Sequence, residues 1–385
     1  MRRALAAAAL CALAAGGARA QANPGTTGGS ILQVPLGARA LGMGTAFTAV
    51  ANDDTALEYN PAGLSQLNAQ DVEFTEIAGI GQTSLQQLSY GGPIPTTGIT
   101  GNGYASGAIS ALISQDGTIQ YNQLNANGTL GSSSNLNAGQ DMVLEGGYSE
   151  RVAMTPLQVG NETYSVDHFL GVGGKYLHST LAQSYHADAY ALDAGYLARQ
   201  PQTGLSFGAS VLNLGSKLKY LDAADPLPAT ARAGVAWQGG QAGVHNLTLA
   251  ADTDYELYER LYHINTGAEY FWLKTYGVRL GYQFDRPNQG GLTLGFGFRW
   301  KGQFLIDYGW AMGDVLGNGQ RFTLAYRFGG VPERVRARVR QPYIESSPER
   351  EAMPDLDQQR PDSEEPPPAP APVPRDNPGV PGWIY

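Results

Sequence analysis

From about Asp71 to Gly330 the chain repeats one pattern: apolar side chains alternate strictly with small or polar ones in short segments. Between Tyr276 and Phe284 the apolar set is Tyr276, Val278, Leu280, Tyr282 and Phe284, interleaved with Gly277, Arg279, Gly281 and Gln283. Leu292 to Trp300 and Phe322 to Phe328 read the same way, and so does Leu205 to Val211. Period two gives each strand one apolar face and one polar or small face. A soluble sandwich also alternates, but its wet face is crowded with Lys, Glu and Thr. Here that face is heavy in glycine, of which the chain has 51, with only a few charges, and charged residues are only 15% of the whole. A lipid-facing sheet must pair every backbone group, so it has to close.

The expected fold is therefore all-β, a transmembrane antiparallel barrel of about fourteen strands. The alternation places them near 71–79, 84–91, 101–122, 138–152, 167–180, 184–200, 203–214, 229–239, 244–256, 260–271, 274–286, 290–301, 302–312 and 319–329. Aromatics gather near strand ends, at Tyr270–Trp272, Trp300, Tyr308, Trp310, Tyr326 and Phe328, as interfacial girdles require. The third segment is long enough to hide a hairpin. Gly92–Thr100 and Ala153–Val166 read as long connections on the side where turns should be short. No run of eighteen apolar residues exists, which excludes a helical membrane protein. A net charge of −9 argues against a nucleic-acid partner.

Arg2 and Arg3, the apolar Ala4–Ala15 stretch and Ala18-Arg19-Ala20 have the layout of a signal peptide over 1–20, cleaved before Gln21. Its removal takes three arginines, leaving −12, and also the sole cysteine, Cys11. The mature chain then has no disulfide, thiol nucleophile or thiolate metal site.

Residues 21–70 precede the strands. Gly42 and Gly44 suit close backbone packing or positive φ. Asp53 and Asp54 are placed to cap a turn through Leu57–Tyr59, which Asn60-Pro61 then ends. Such a unit is too small to bury its own core. The stretch Gly37-Ala38-Arg39-Ala40, Gly42-Met43-Gly44, Ala46–Val50, Asp53-Asp54 and Asn60-Pro61-Ala62-Gly63-Leu64 resembles the PorV/PorQ family of outer-membrane proteins. More distantly, it is similar to the N-terminal hatch of the FadL long-chain fatty-acid transporters. Gly171–Leu177, Leu192–Tyr196 and Leu205–Gly215 add to the resemblance, which spans about 31–329. Thr45 stands where the family usually has glycine, and Glu58 is unusual before the aromatic of the Asn-Pro block. The resemblance implies a fourteen-stranded barrel over 71–330 with the N-terminal segment as a lumenal plug. Arg39, Gly42, Met43, Gly44, Asp53, Asp54, Asn60, Pro61, Ala62 and Gly63 form the plug motif.

Alternation turns Glu73, Lys175, Asp193, Asp252, Asp254, Glu256, Glu269, Arg279, Arg299, Asp307 and Arg327 toward the lumen. Buried charges are costly unless paired, so these residues are expected to join Arg39, Asp53 and Asp54 in a plug–wall network, with Arg327 facing Glu73 across the closing seam. A wet lumen without specific pairing is the alternative. Asp252, Asp254 and Glu256 could gather Ca²⁺, but no loop glycine or closing glutamate follows at the required spacing, so no metal site is assigned. The five histidines show no metal spacing, and no acid at matching spacing orients His178, Ser179 and His186. No catalytic residues and no cofactor are expected.

Residues 331–385 hold 13 of the 23 prolines and alternate Arg334, Arg336, Arg338 and Arg340 with Val and Ala before turning acidic. This composition predicts an extended periplasmic tail without a packed core. The expected localisation is the bacterial outer membrane, with membrane lipid as a partner. Two functions stay open. The PorV/PorQ resemblance implies protein secretion or cargo hand-over of type IX kind, with secretion-machinery subunits or exported cargo as partners. The FadL resemblance implies a plugged channel for small hydrophobic ligands.

Overall fold

The computed structural model describes residues 25–80, 83–160, 162–240, 244–284, 289–313 and 318–329. The signal peptide over 1–20, with Cys11, and the tail over 331–385 lie outside them. The strands begin with β1 (Gln70–Ile80), β2 (Thr83–Thr97), β3 (Tyr104–Gln115), β4 (Thr118–Leu124), β5 (Leu130–Asn137) and β6 (Gly139–Val159). Next come β7 (Glu162–Leu181), β8 (Tyr185–Gln200), β9 (Leu205–Gly215), β10 (Lys217–Lys219), β11 (Ala224–Pro226) and β12 (Thr230–Gly239). The last are β13 (His245–Glu256), β14 (Leu261–Trp272), β15 (Tyr276–Phe284), β16 (Gln289–Trp300), β17 (Phe304–Gly313) and β18 (Gly319–Phe328).

Among the described residues fourteen of these strands form a closed antiparallel barrel, with β4–β5 and β10–β11 as separate two-stranded sheets. Closure joins β1 to β18 in unbroken register from Gln70 opposite Phe328 to Ala78 opposite Gln320. The end of the barrel carrying Gln70 and Phe328 is called the near end below; the opposite end is the far end.

Alternation is realised as a two-sided wall. Phe74, Leu88, Ile109, Leu280, Phe296 and Leu324 project outward, while Glu73, Ser89, Ser110, Arg279, Thr293 and Thr323 are buried inward. An outer face this apolar, on a sheet with no free edge, is a lipid-facing one. At the near end, ring centroids of Trp300 and Phe304 lie 5.5 Å apart, Phe304 and Tyr326 4.8 Å, and Tyr326 and Phe328 5.7 Å. Together with Trp272, Tyr276 and Phe298 they form an aromatic band of the kind found at a membrane interface.

Three expectations are corrected here. The third segment does hide a turn: β3 stops at Gln115, and residues 118–137 form the β4–β5 hairpin outside the barrel, after the Asp116-Gly117 break. The two long connections, 92–100 and 153–166, are largely strand. β2 runs on through Pro93 and Pro95 to Thr97, and β6–β7 extend as a two-stranded arm past Arg151 and Asp167. Proline disguised both, yet it is tolerated there because each strand has outrun one of its neighbours and carries a free edge. Arg327 faces Asp71, not Glu73; their Nε–Oδ2 distance is 2.8 Å, and the register puts Ala325 opposite Glu73.

Within the barrel run α1 (Ala38–Gly42), α2 (Ala56–Tyr59) and a 3₁₀ turn over Pro61–Gln66. The chain enters at the far end, where the Gly28 N–H donates to Pro226 O, and leaves at Gln70 on the near end. Phe47, Val50, Leu57, Tyr59 and Leu64 cluster with Ala108, Ala236 and Ala250 of the wall. The segment therefore does assemble a small core, because the wall excludes water from its outer surface.

The lipid-facing assignment is testable with Leu280→Arg, near the middle of β15. It should cost about 2–4 kcal/mol in reversible unfolding from bilayers. Ser133→Arg, in the β4–β5 hairpin, should change stability by less than about 0.5 kcal/mol.

Candidate functional site

The interface between the lumenal segment and the wall is built first by absence of side chains. A Cβ on Gly267 would lie 2.2 Å from Met43 O, on Gly281 2.1 Å from Gly44 N, and on Gly171 2.3 Å from Ala62 N. Wall glycines therefore seat the lumenal backbone at a distance no other residue permits. Gly42 meets Gly295 in the same way, with 2.9 Å between its would-be Cβ and Gly295 Cα. Thr45 holds a φ of 62°, a left-handed conformation that strains a β-branched residue; its hydroxyl accepts from Gln283 Nε2 at 3.1 Å.

Arg39 on α1 is the electrostatic centre. Its Nε and Nη2 donate to the two oxygens of Glu269 at 2.8 and 2.7 Å, and its Nη1 donates to Asp53 at 2.9 Å and Asn52 at 2.5 Å. Glu269 lies directly opposite Arg279 in the β14–β15 register and accepts from its Nε at 2.7 Å. Arg279 then reaches across β16 to Asp307 on β17, at 2.6 Å. That crossing is possible because Gly297 lies between them: a Cβ there would sit 2.5 Å from Asp307 Oδ1. Burial opposes the charge on Arg39, but Glu269 and then Asp53 hold it more firmly protonated than a free arginine. Arg299 stacks on Phe271 with 3.9 Å from guanidinium carbon to ring centroid.

The remaining predicted residues are dispersed around this centre. Asp252 accepts from the Phe47 and Thr48 N–H groups, both at 2.7 Å, so its carboxylate binds backbone. Asp254 accepts from Asn265 Nδ2 at 2.9 Å, and Glu256 faces His263 at 3.1 Å. Among the described residues no group of three or more His, Cys, Asp or Glu could hold a metal. Lys175 gathers Glu58 at 3.2 Å, Asp193 at 3.1 Å and Glu145 at 3.4 Å. Asp53 and Asp54 do not cap α2 with their side chains: Asp53 accepts from Arg39 and Thr55 of the lumenal segment itself, and Asp54 from Ser89 of β2.

Asn60 explains the most specific motif. Its Nδ2 donates to Thr48 O at 2.9 Å and Tyr196 O at 3.0 Å, while its Oδ1 accepts from Ala62 N at 3.1 Å. Pro61 starts the 3₁₀ turn where no N–H is needed, and a Cβ on Gly63 would fall 2.0 Å from Ala51 O. Sequence reasoning missed Asp71, Glu145, Arg232 and Arg321. Strand parity alone signals all four as inward charges, and Arg321 reaches Pro35 O at 2.7 Å. His178 has a carboxylate partner after all, Asp188 at 2.8 Å on the adjacent strand; Ser179 points to the opposite face of the wall, so the three cannot form a triad.

Toward the far end the inner wall changes character. Ile77, Leu85, Leu112, Val143, Leu177 and Ala189 line it, packed against Ile31 and Leu36 of the lumenal segment and capped by Leu218 and Leu227.

A model of an uncharacterised protein family (UPF0164) matches residues 4–144. No curated protein matches. Among solved structures the chain is similar to the Ralstonia pickettii toluene transporter TbuX, at 12% identity, covering 76% of this chain and 98% of that one, with a TM-score of 0.45. It is also similar to the Pseudomonas putida toluene transporter TodX (14% identity, 75% and 96% coverage, TM-score 0.44) and to a Pseudomonas aeruginosa FadL homologue (12%, 75% and 98%, 0.38).

Asn60→Ala removes three buried hydrogen bonds, those to Thr48 O, Tyr196 O and Ala62 N. A loss of about 2–4 kcal/mol in thermal unfolding is expected. A change below about 0.5 kcal/mol would show that this contact does not hold the segment in place.

Proposed function

We propose that the protein is an outer-membrane channel for small uncharged hydrophobic compounds, with residues 25–69 as its plug. The observation that carries this reading is the apolar inner wall at the far end. A barrel whose lumen serves only water or ions has no use for Ile77, Leu85, Leu112, Val143 and Leu177 facing inward. Buried apolar side chains there offer a compound leaving water roughly 25 cal/mol for each Å² it buries. The N-terminal residues Ile31 and Leu36 occupy this wall, so entry requires them to yield.

The seam between β8 and β9 offers a way out sideways. Its ladder breaks between Leu192 and Ala194, where Asn213 takes a φ of 59° and donates its N–H to Asp193 Oδ1 at 2.6 Å. A bulge in the closed wall next to an apolar lining is a place where a solute that partitions into lipid could leave. The longer connections, 116–138 and 216–229, all lie at the far end, which on the barrel pattern faces the exterior. Secretion or cargo hand-over, implied by the PorV/PorQ resemblance, gains no support from the family match or from the solved structures above.

Uptake of a radiolabelled uncharged aromatic hydrocarbon into cells or liposomes carrying the barrel checks the reading. Uptake should exceed that of protein-free membranes and fall at least tenfold in Leu177→Asp, with octanoate admitted poorly. Equal uptake with and without the protein would overturn it, as would a normal rate in a folded Leu177→Asp barrel.

A further inference from the structure

A small polar cluster sits at the mouth of the apolar inner wall. Along β6 and β7, Val143 lies opposite Leu177, and two residues nearer the far end Asp141 lies opposite Ser179. The spacing of two puts all four on the lumenal face. Ser179 is buried, and its Oγ meets both Asp141 Oδ1 and, at 2.5 Å, the hydroxyl of Tyr220. A carboxylate only accepts, so the Ser179 hydroxyl donates to Asp141 and its oxygen accepts from Tyr220. The chain from Tyr220 through Ser179 is therefore directional and ends on Asp141.

Tyr220 does not belong to the barrel sheet. It follows β10 in the separate β10–β11 hairpin, and with Leu218 and Leu227 it packs over the apolar wall as a cap. Leu218 is buried while Lys217 and Lys219 on either side are exposed, so the apolar side of the cap faces inward. The cap is also tied to the plug. The Gly28 N–H donates to Pro226 O at 2.9 Å, and a Cβ on Gly28 would lie 3.2 Å from Asp225 Cβ.

We propose that Ser179 and Asp141 form a recognition site for the hydroxyl of an uncharged phenol, and that Tyr220 fills this site in the closed channel as a phenol supplied by the protein itself. The assignment rests on the channel reading above and narrows its solute class. A hydrocarbon has no proton to give Ser179, and an ionised carboxylic acid has none either. A phenol titrates near pH 10, as tyrosine does, and so keeps its proton at neutrality. Its ring then falls on the apolar layer of Leu112, Val143 and Leu177, one step deeper in the lumen. Exchanging one phenol hydroxyl for another conserves the hydrogen bond and frees Tyr220. The β10–β11 cap is then released from the wall, and through Gly28 so is the start of the plug, where Ile31 and Leu36 must yield. Recognition and opening are one event.

Full-length protein purified from outer membranes, in a Cys11→Ser background, tests this with p-cresol and toluene, which differ only in the hydroxyl. The maleimide labelling rate of Leu218→Cys, buried under the cap, is divided by that of the exposed Ser133→Cys. p-Cresol should raise the ratio at roughly one tenth of the toluene concentration needed, the order expected of one hydrogen bond. Ser179→Ala should erase that preference. Tyr220→Phe, which keeps the ring without its hydroxyl, should raise the ratio before any solute is added. Leu227→Cys, buried on the other flank of the cap, is the second reporter should Leu218→Cys fail to fold. Equal potency of the two solutes, an unaltered preference in Ser179→Ala, or a solute-free ratio unchanged by Tyr220→Phe would each overturn the proposal. Labelling needs no transport, so a preference for p-cresol in a barrel without uptake would refute the channel reading alone.

Discussion

A backbone amide inside a bilayer has no water to bond with, and the structure depends on that constraint. Fourteen antiparallel strands satisfy it by closing β1 onto β18, leaving no free edge within the wall. Closure creates an interior, and an interior must be either wet or filled. Here it is filled by a segment of the same chain that runs from one end of the barrel to the other. Filling it imposes the second requirement: a lumenal backbone with its own polar groups must lie against a wall that is already fully hydrogen-bonded to itself.

Two devices meet that requirement. Glycines at inward positions, among them Gly171, Gly267 and Gly281, let the two backbones approach until carbonyls and N–H groups of the segment sit against the sheet. Inward polar side chains then supply the partners the sheet cannot. Asp252 takes two N–H groups, Asn60 takes two carbonyls, and Thr323 accepts from Ala38 N. Charges are handled in strings rather than in isolated pairs. Arg39, Glu269, Arg279 and Asp307 alternate in sign across four elements, so that each buried ion has a neighbour of opposite charge.

Strand positions were legible because lipid and lumen impose opposite demands on alternate residues, and that pattern survives in a single sequence. It failed at Pro93, Pro95 and Pro156, where proline signals a loop by local rules. Whether a strand edge is free to tolerate proline depends on how far its neighbours extend. Asn60-Pro61 was legible as the end of a turn, since the restriction on the residue before proline is local. The three hydrogen bonds of Asn60 were not, for Thr48 and Tyr196 reach it only through folding. Asp53 and Asp54 looked like helix caps by the same local reading; Asp53 instead binds Arg39 within the lumenal segment and Asp54 binds Ser89 of the wall.

Taken alone, the sequence determined the class of fold, the strand count and the side of the wall on which each charge lies, because period two is a property of the extended chain itself. Register decided the rest. Moving one strand by two residues keeps every side chain on its face but exchanges its partner, which is why Arg327 meets Asp71 rather than Glu73. Only the closed barrel could set Arg39 against Glu269, Lys175 among three carboxylates and Asp54 against Ser89. Those contacts join residues far apart in the chain whose heights depend on the register of every strand between them.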